Sequence, residues 1–489
     1  MMNLLKDDFV STNHGKVSLK TILTTDKDYQ LQYYFDEIQL AMLQLLSSLA
    51  TAVLQPDTKQ LQHYLINGIT CEEYDRKLSE MHSEWFEGDC FMRSSPPVNA
   101  KNPSAPITKM LSGIECGTSP NAIGLFSEVK DAETICPDCS HVLNYNLHMN
   151  IKGECFGPTG ATGIRGGGAI STLIAGDGLK QTVFSNIVAT DLFDKYAELD
   201  SEADNKPMWI SPLLGGLYQA QKIGLIRGLF ALAYHINFIV EDKICHCDVC
   251  GCESEQSVTT FMREKYKGSY GSTKAGRDAG AGWWPHPYTP RSVREDGVYA
   301  VCARDQNWQS WQELTSYIVG KETDKAMVEP AYIVRQYQEI SGQSRTSLLV
   351  GGNIADQGSI LGRVYDLYSM PSSLSNHLSR ITQVVDAGLS QKDKLSQALN
   401  KMFGIGYDKN FVAGIKDQAM HRFVSNTQQI IQNILLDVDR KEAGELRRSA
   451  IEELDAEAKL IYSSIQRKYQ HDLPLFKALV KGEYLLNKN

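Results

Sequence analysis

The 489-residue chain lacks any apolar run long and unbroken enough to cross a bilayer. A spanning helix needs about 20 mostly apolar residues. Residues 38–54 are interrupted by Gln39, Gln44, Ser47, Ser48 and Thr51, and residues 223–240 by Arg227, His235 and Asn237. Both stretches read as buried core helices, and no membrane is expected as a partner. The chain also lacks a positive excess. Its 49 Lys+Arg against 58 Asp+Glu leave a net charge of −9. That excludes a uniformly basic DNA-coating protein but leaves room for a local basic surface. Lys6, Asp7 and Asp8 near the start leave no basic segment followed by an apolar one, so no secretory signal is read and a cytoplasmic location is expected. Catalytic patterns are missing too: no HExxH, no GxSxG, no GxxxxGK[ST], and no paired carboxylates beside a histidine cluster. The isolated His471-Asp472 reads as a helix cap beside a surface histidine, and no enzyme is expected.

What is present is the composition of a folded protein with a large core, 42% hydrophobic and 22% charged. Residues 31–54 and 72–84 have helical spacing. Residues 94–106 are rich in Ser, Pro and Asn and read as a loop. Residues 107–300 mix turn residues, glycine-rich stretches and short β-branched runs. From about residue 375 Gln, Lys, Glu, Leu and Ala dominate, and the three-four apolar spacing of amphipathic helices recurs over 378–389, 395–403, 411–438 and 443–469. Ser390, Asn410 and Asp472 are the expected N-caps. The expected fold is α+β, a mixed N-terminal domain over 1–370 followed by a C-terminal four-helix bundle over 371–489.

Six of the eleven cysteines are clustered, Cys136 and Cys139 in one place and Cys245, Cys247, Cys250 and Cys252 in another. In a reducing compartment such clustering argues for a metal site. Cys136-Pro-Asp-Cys139 and Cys247-Asp-Val-Cys250-Gly251 are two CxxC units, each able to aim two sulfurs at one ion. Together they would make a closed, structural S4 zinc site. The units are 108 residues apart, so turns that never meet, or a redox pair, remain alternatives at this point. Cys245, His246 and Cys252 leave open which side chains bind.

Two other stretches invite a ligand. Residues 153–168 are glycine-rich and could let the backbone approach a phosphate or a base edge; a flexible surface loop explains the pattern equally. Residues 263–294 hold seven cations against Glu264 and Asp278, interleaved with Tyr266, Tyr270, Trp283, Trp284 and Tyr288. That mixture suits a nucleic-acid backbone, or a solvated loop whose tryptophans plug the core.

Several short motifs, in order, resemble one family. They are Met2-Asn3-Leu4-Leu5, Lys109-Met-Leu-Ser-Gly113, the first CxxC, Gly163-Ile-Arg-Gly-Gly167, and Pro207-Met-Trp-Ile-Ser-Pro212. They continue with Gly224-Leu-Ile-Arg-Gly-Leu-Phe230, the second CxxC, Trp284-Pro-His-Pro287 and Gly351-Gly-Asn-Ile-Ala-Asp-Gln357. The chain resembles the CasA family, the large subunit of the type I-E CRISPR surveillance complex Cascade. The resemblance implies a non-catalytic subunit that recognises a short protospacer-adjacent motif in double-stranded DNA while the guide RNA reads the target. Its implied partners are the other Cascade subunits (backbone, small and guide-end-capping), the CRISPR guide RNA, the target duplex and a helicase-nuclease. It implies one structural Zn2+ on Cys136, Cys139, Cys247 and Cys250. It assigns guide-end and motif contact to Leu125, Phe126 and Ser127, a glycine loop to Phe156, Gly157 and Gly160, minor-groove insertion to Lys265, and a wedge to Gln357 flanked by Asp356 and Gly358. Two positions depart from the pattern. Pro158 removes an N–H from the glycine loop, and Asp356 puts a carboxylate where an amide is common, so a different motif preference is implied. The rivals are a zinc-dependent nucleic-acid hydrolase and a stand-alone zinc-knuckle scaffold.

Overall fold

The computed structural model describes residues 2–93, 104–112, 132–151, 160–166, 168–213, 215–271, 283–303, 305, 307–322, 326–341, 346–356, 359–370 and 377–487. The chain divides into two compact units. One is Met1–Ala303 with Gly320–Gly342 and Leu348–Leu367. The other is Arg304–Val319 with Gln343–Ser347 and Tyr368–Asn489.

The first unit mixes helices with several small sheets. In chain order it contains β1 (Val10–Thr12), β2 (Gly15–Val17), α1 (Asp36–Leu54), β3 (Ser104–Pro106), α2 (Pro137–Met149), β4 (Ser171–Ala175) and α3 (Leu225–Leu229). There follow β5 (Tyr234–Glu241), β6 (Cys245–His246), β7 (Glu253–Ser254), β8 (Ser257–Lys265), and the Leu348–Leu367 part of β9 (Thr346–Asp356) and β10 (Ser359–Met370). One sheet has the order β3–β8–β5, with Tyr234 opposite Lys265 and Pro106 opposite Thr260. A second has the order β10–β9–β4.

Helix α1 is buried from Glu37 to Leu54, apart from Gln39. Its polar residues survive there because each finds a partner. Gln44 Nε2 donates to Ser171 Oγ (2.9 Å), and the Ser47 and Thr51 hydroxyls donate to carbonyls one turn back (2.8 Å each). Despite these polar interruptions, α1 is by length and composition alone the one helix among the described residues that could cross a membrane, and 94% of that window is buried inside the protein. The expectation of a core helix holds for 38–54. It does not hold for 223–240, which is the short helix α3 followed by strand β5. The alternation through Tyr234, Ile236 and Phe238 imposes the period of a strand. Gly228 in α3 leaves room for Trp284, whose ring a Cβ would strike, and Trp284 Nε1 donates to Ile223 O at 2.9 Å. The expected loop at 94–106 ends in β3, an edge strand that tolerates Pro106 because the missing N–H costs no ladder bond there. Over 72–84 the helix is Cys71–Ser79, followed by a 3-10 turn at Ser83–Phe86.

In the second unit four helices share a core: α4 (Leu378–Leu399), α5 (Lys409–Leu435), α6 (Ala443–Lys468) and α7 (Leu473–Leu486). The buried stripe of α6, Leu446, Ala450, Leu454, Ala458, Ile461 and Ile465, repeats at the helical period. Gly482 of α7 meets Tyr462 of α6 and Ala398 of α4 so closely that a Cβ would overlap both. Asp472 caps α7 as expected, accepting from Leu475 N at 3.1 Å. Ser390 is no cap, because α4 runs through it, and the cap of α5 is Asp408, which accepts from the amides of Asn410 and Phe411. Trp311 also joins this core, seated on Gly388 with Nε1 donating to Val424 O at 3.3 Å.

Candidate functional site

The two CxxC units meet. The sulfurs of Cys136, Cys139, Cys247 and Cys250 all lie within 4.8 Å of one another, and all four residues are buried. Local structure explains the aim of each pair. Cys136 is the N-cap of α2, Pro137 opens the helix with its fixed φ, and Cys139 sits in the first turn. Thiolates there face unpaired amides and the positive end of the helix dipole. Cys247 and Cys250 occupy the tip of the β6–β7 hairpin. Cys247 N donates to Cys252 O (2.9 Å) and Gly251 N to Cys247 O (2.8 Å). The turn closes with Gly251 at φ +74°, where a Cβ would strike the Tyr34 hydroxyl.

Backbone and side-chain bonds hold the knuckles together across their long sequence separation. Ile135 and Val258 exchange two backbone bonds (3.0 and 2.8 Å), and Asp248 Oδ2 accepts from the amides of Glu133 and Thr134 (2.9 and 2.7 Å). Tyr34 N donates to Val249 O at 3.0 Å. Lys16 on β2 pairs with Asp138, and its Nζ lies 4.0 Å from Cys136 Sγ. Burial disfavours that ammonium, but Asp138 and the neighbouring sulfurs outweigh it and hold Lys16 above its ordinary value. Hydrogen bonds among the sulfurs draw Cys136 and Cys247 below the usual thiol range and push Cys139 and Cys250 above it. The donor set suits a metal ion. Tetrahedral coordination at about 2.3 Å sets sulfurs roughly 3.8 Å apart, and Cys136 and Cys250 are 3.9 Å apart. Cys245, Cys252 and His246 stand outside the cluster. Cys245 Sγ reaches Gln256 O (3.3 Å), Cys252 Sγ lies 3.7 Å from Ser11 Oγ, and His246 is exposed.

Of the expected nucleic-acid contacts, Lys265 is exposed at the end of β8. Gly160 is half-buried, and the next residue, Ala161, donates its N–H to Tyr234 Oη at 2.7 Å. Tyr234 is the register partner of Lys265, so the glycine stretch and the lysine are anchored on the same strand pair. Asp356 ends β9, in a different sheet. Leu125, Phe126, Ser127, Phe156, Gly157, Gln357 and Gly358 lie outside the described residues. Among the described residues, the cation-and-aromatic stretch 263–294 is not one basic platform. Tyr266, Trp284 and Tyr288 are buried, and Tyr266 stacks on His235 with centroids 4.3 Å apart. Arg291 is buried against Glu329 (2.7 Å), and the Arg263 guanidinium covers the Tyr234 ring. Apolar burial claims the rings of Tyr266, Trp284 and Tyr288, leaving Lys265, Lys267 and Arg294 as the exposed cations among the described residues of this stretch.

Residues 3–461 match the profile of the family described as CRISPR-associated protein Cse1. The fold is similar to that of Thermus thermophilus CasA (Cse1), with TM-score 0.71 and 12% identity over 99% of this chain and 98% of that one. It is similar to Thermobifida fusca Cse1, with TM-score 0.65 and 14% identity over 99% and 97%. A chain of a CRISPR RNA-guided surveillance complex matches with TM-score 0.67 and 13% identity over 100% and 99%. Identities this low speak for the fold, while the profile match runs through nearly the whole sequence, both cysteine knuckles included. On that ground the chain belongs to the CRISPR-associated protein Cse1 family.

Proposed function

We propose that this chain is the non-catalytic large subunit of a type I-E CRISPR Cascade complex. In that role it recognises the protospacer-adjacent motif of double-stranded DNA, parts the duplex for R-loop formation and recruits a helicase-nuclease. The observation that carries the reading is the family match over residues 3–461, supported by likeness to a chain of a surveillance complex. The guide RNA supplies sequence specificity by pairing, so the protein needs to read only a short flank. Lys265, exposed at a strand end, enters the minor groove, where degenerate acceptors favour a cation over base-specific readout. Phe156, Gly157 and Gly160 approach the same groove through backbone, and Leu125, Phe126 and Ser127 contact the guide end and the motif. Gln357, flanked by Asp356 and Gly358, wedges beneath the motif and offsets an unstacking cost of a few kcal/mol per step.

The metal in this reading is one structural Zn2+. Four thiolates are a soft donor set that favours zinc over hard ions. They also fill a tetrahedral shell and leave no position for an activated water, which disfavours the hydrolase alternative. The other Cascade subunits, the guide RNA and the target duplex are the partners, in the cytoplasm. A binding screen of the assembled complex over target duplexes with randomised flanks tests the function. Strong preference at a few positions beside the target is expected; equal binding to every flank would overturn it.

A further inference from the structure

A buried polar chain runs through the first unit, apart from the cysteine cluster. Glu37, in the first turn of α1, accepts the Ser112 N–H on both carboxylate oxygens (2.9 and 3.1 Å). Asn353 Nδ2 donates to Ser112 Oγ at 3.1 Å. Arg363 Nη1 lies 3.8 Å from Glu37 and 2.9 Å from Asp36. On the other side Asn146 Nδ2 donates to Glu37 Oε2 at 3.5 Å, the longest of these hydrogen bonds, and Asn146 Oδ1 accepts from Asn150 Nδ2 at 3.0 Å. Asn150 Oδ1 accepts from Arg165, whose guanidinium also reaches Met149 O (3.2 Å), Thr289 Oγ1 (2.7 Å) and Ser171 Oγ (2.8 Å). The chain thus joins a buried carboxylate to a guanidinium that is 2% exposed. Burial pushes Glu37 up to about 7 and brings Arg165 down to about 10, as expected of charges held away from water.

Apolar side chains of similar volume would fill this space at lower cost, so packing alone does not account for the arrangement. Its geometry does. Ser112 is the described residue before 113–131, Asn150 and Arg165 stand on either side of 152–159, and Asn353 and Arg363 on either side of 357–358. Those three stretches, with the adjoining Gly160 and Asp356, hold every nucleic-acid contact assigned above except Lys265. We propose that Glu37 and Arg165 are positioning residues that tie the roots of the three DNA-contacting stretches into one unit, so that displacement at one root is transmitted to the others. The functional half of this inference rests on the nucleic-acid reading of those stretches; the mechanical half does not.

The test is amide exchange in the full-length chain bearing Glu37→Gln, which keeps an acceptor for Ser112 and removes the charge. Exchange is expected to rise about tenfold or more at Ser112 and also at Ala161–Arg165 and Asn353–Ile354, beyond the directly cut contact. Acceleration confined to Ser112 overturns the inference. Arg165→Lys, which keeps charge but loses the fork of contacts, should loosen the same three roots from the other end. If either variant unfolds, Arg363→Lys is read in the same way. In the assembled complex, motif discrimination should fall about fivefold or more with assembly intact. Coupled exchange with unchanged discrimination upholds the mechanical coupling and contradicts the DNA-contact reading instead.

Discussion

His148 makes the pH response of the first unit calculable. It is buried near the end of α2, where its Nδ1 accepts from Ala233 N at 3.0 Å, so its proton sits on Nε2, which has no partner among the described residues. Burial pushes the imidazole down to about 3, with His235 adding to the effect. The unfolded chain takes that proton at about 6.5. The stabilising contribution is therefore full above pH 6.5 and is lost as pH falls. At pH 4.5 the loss spans about two pH units, or about 2.7 kcal/mol. His148→Asn places an amide oxygen near the Nδ1 position and cannot titrate. The variant should be less stable at pH 7.5, because it loses the ring packed 6.1 Å from Tyr234. Urea unfolding followed by tryptophan fluorescence at steps from pH 7.5 to 4.5 should show the gap to the native chain closing by about 2.7 kcal/mol. Parallel profiles would refute the reasoning, since every other titrating group is common to both chains.

Four further outcomes are expected. Metal analysis should find about one zinc per chain, lost in Cys250→Ser, and a folded, metal-free native chain would remove the site. Lys265→Ala should weaken motif-dependent binding by about 1 kcal/mol and lower the salt slope by about one unit; an unchanged slope contradicts groove contact. Gln357→Ala should leave assembly intact and slow R-loop formation, and an unaltered opening rate removes the wedge assignment. Gly482→Ala should destabilise the helical unit by about 1–3 kcal/mol through overlap with Tyr462 and Ala398, and an unshifted melting midpoint contradicts that packing.

The elements most legible in the sequence are those whose signal is local. The helical period of 443–469 survives as α6 because its apolar stripe and its neighbours agree. The CxxC turns are legible for the same reason, since each sets its own sulfur geometry within five residues. That they meet depends on the Ile135–Val258 bridge and the carboxylate of Asp248, neither of which has a spacing to read. Residues 223–240 misled because the strand alternation covers only Tyr234–Glu241, while the apolar content of the whole stretch fits a buried helix equally. The stretch 263–294 left two readings open for a different reason. Its aromatics and cations are neighbours in sequence, but among the described residues Tyr266, Trp284 and Tyr288 turn into the core while Lys265, Lys267 and Arg294 stay outside. Nothing in the residues around Glu37 marks it out, and Arg165 is a lone cation in the glycine-rich stretch 153–168. Their connection runs through Asn146 and Asn150 and exists only once α1 and α2 pack together. Trp311 likewise gives no local sign that it belongs to the helical core.

Reconstituting the guide-RNA complex with and without this chain, on a duplex carrying a matched target, is the most direct measurement. The expected result is strand opening beside a preferred flank only when the chain is present, with both DNA strands left uncut until a separate nuclease is added. Equal opening in its absence, or nicking by the purified chain alone, would contradict the account.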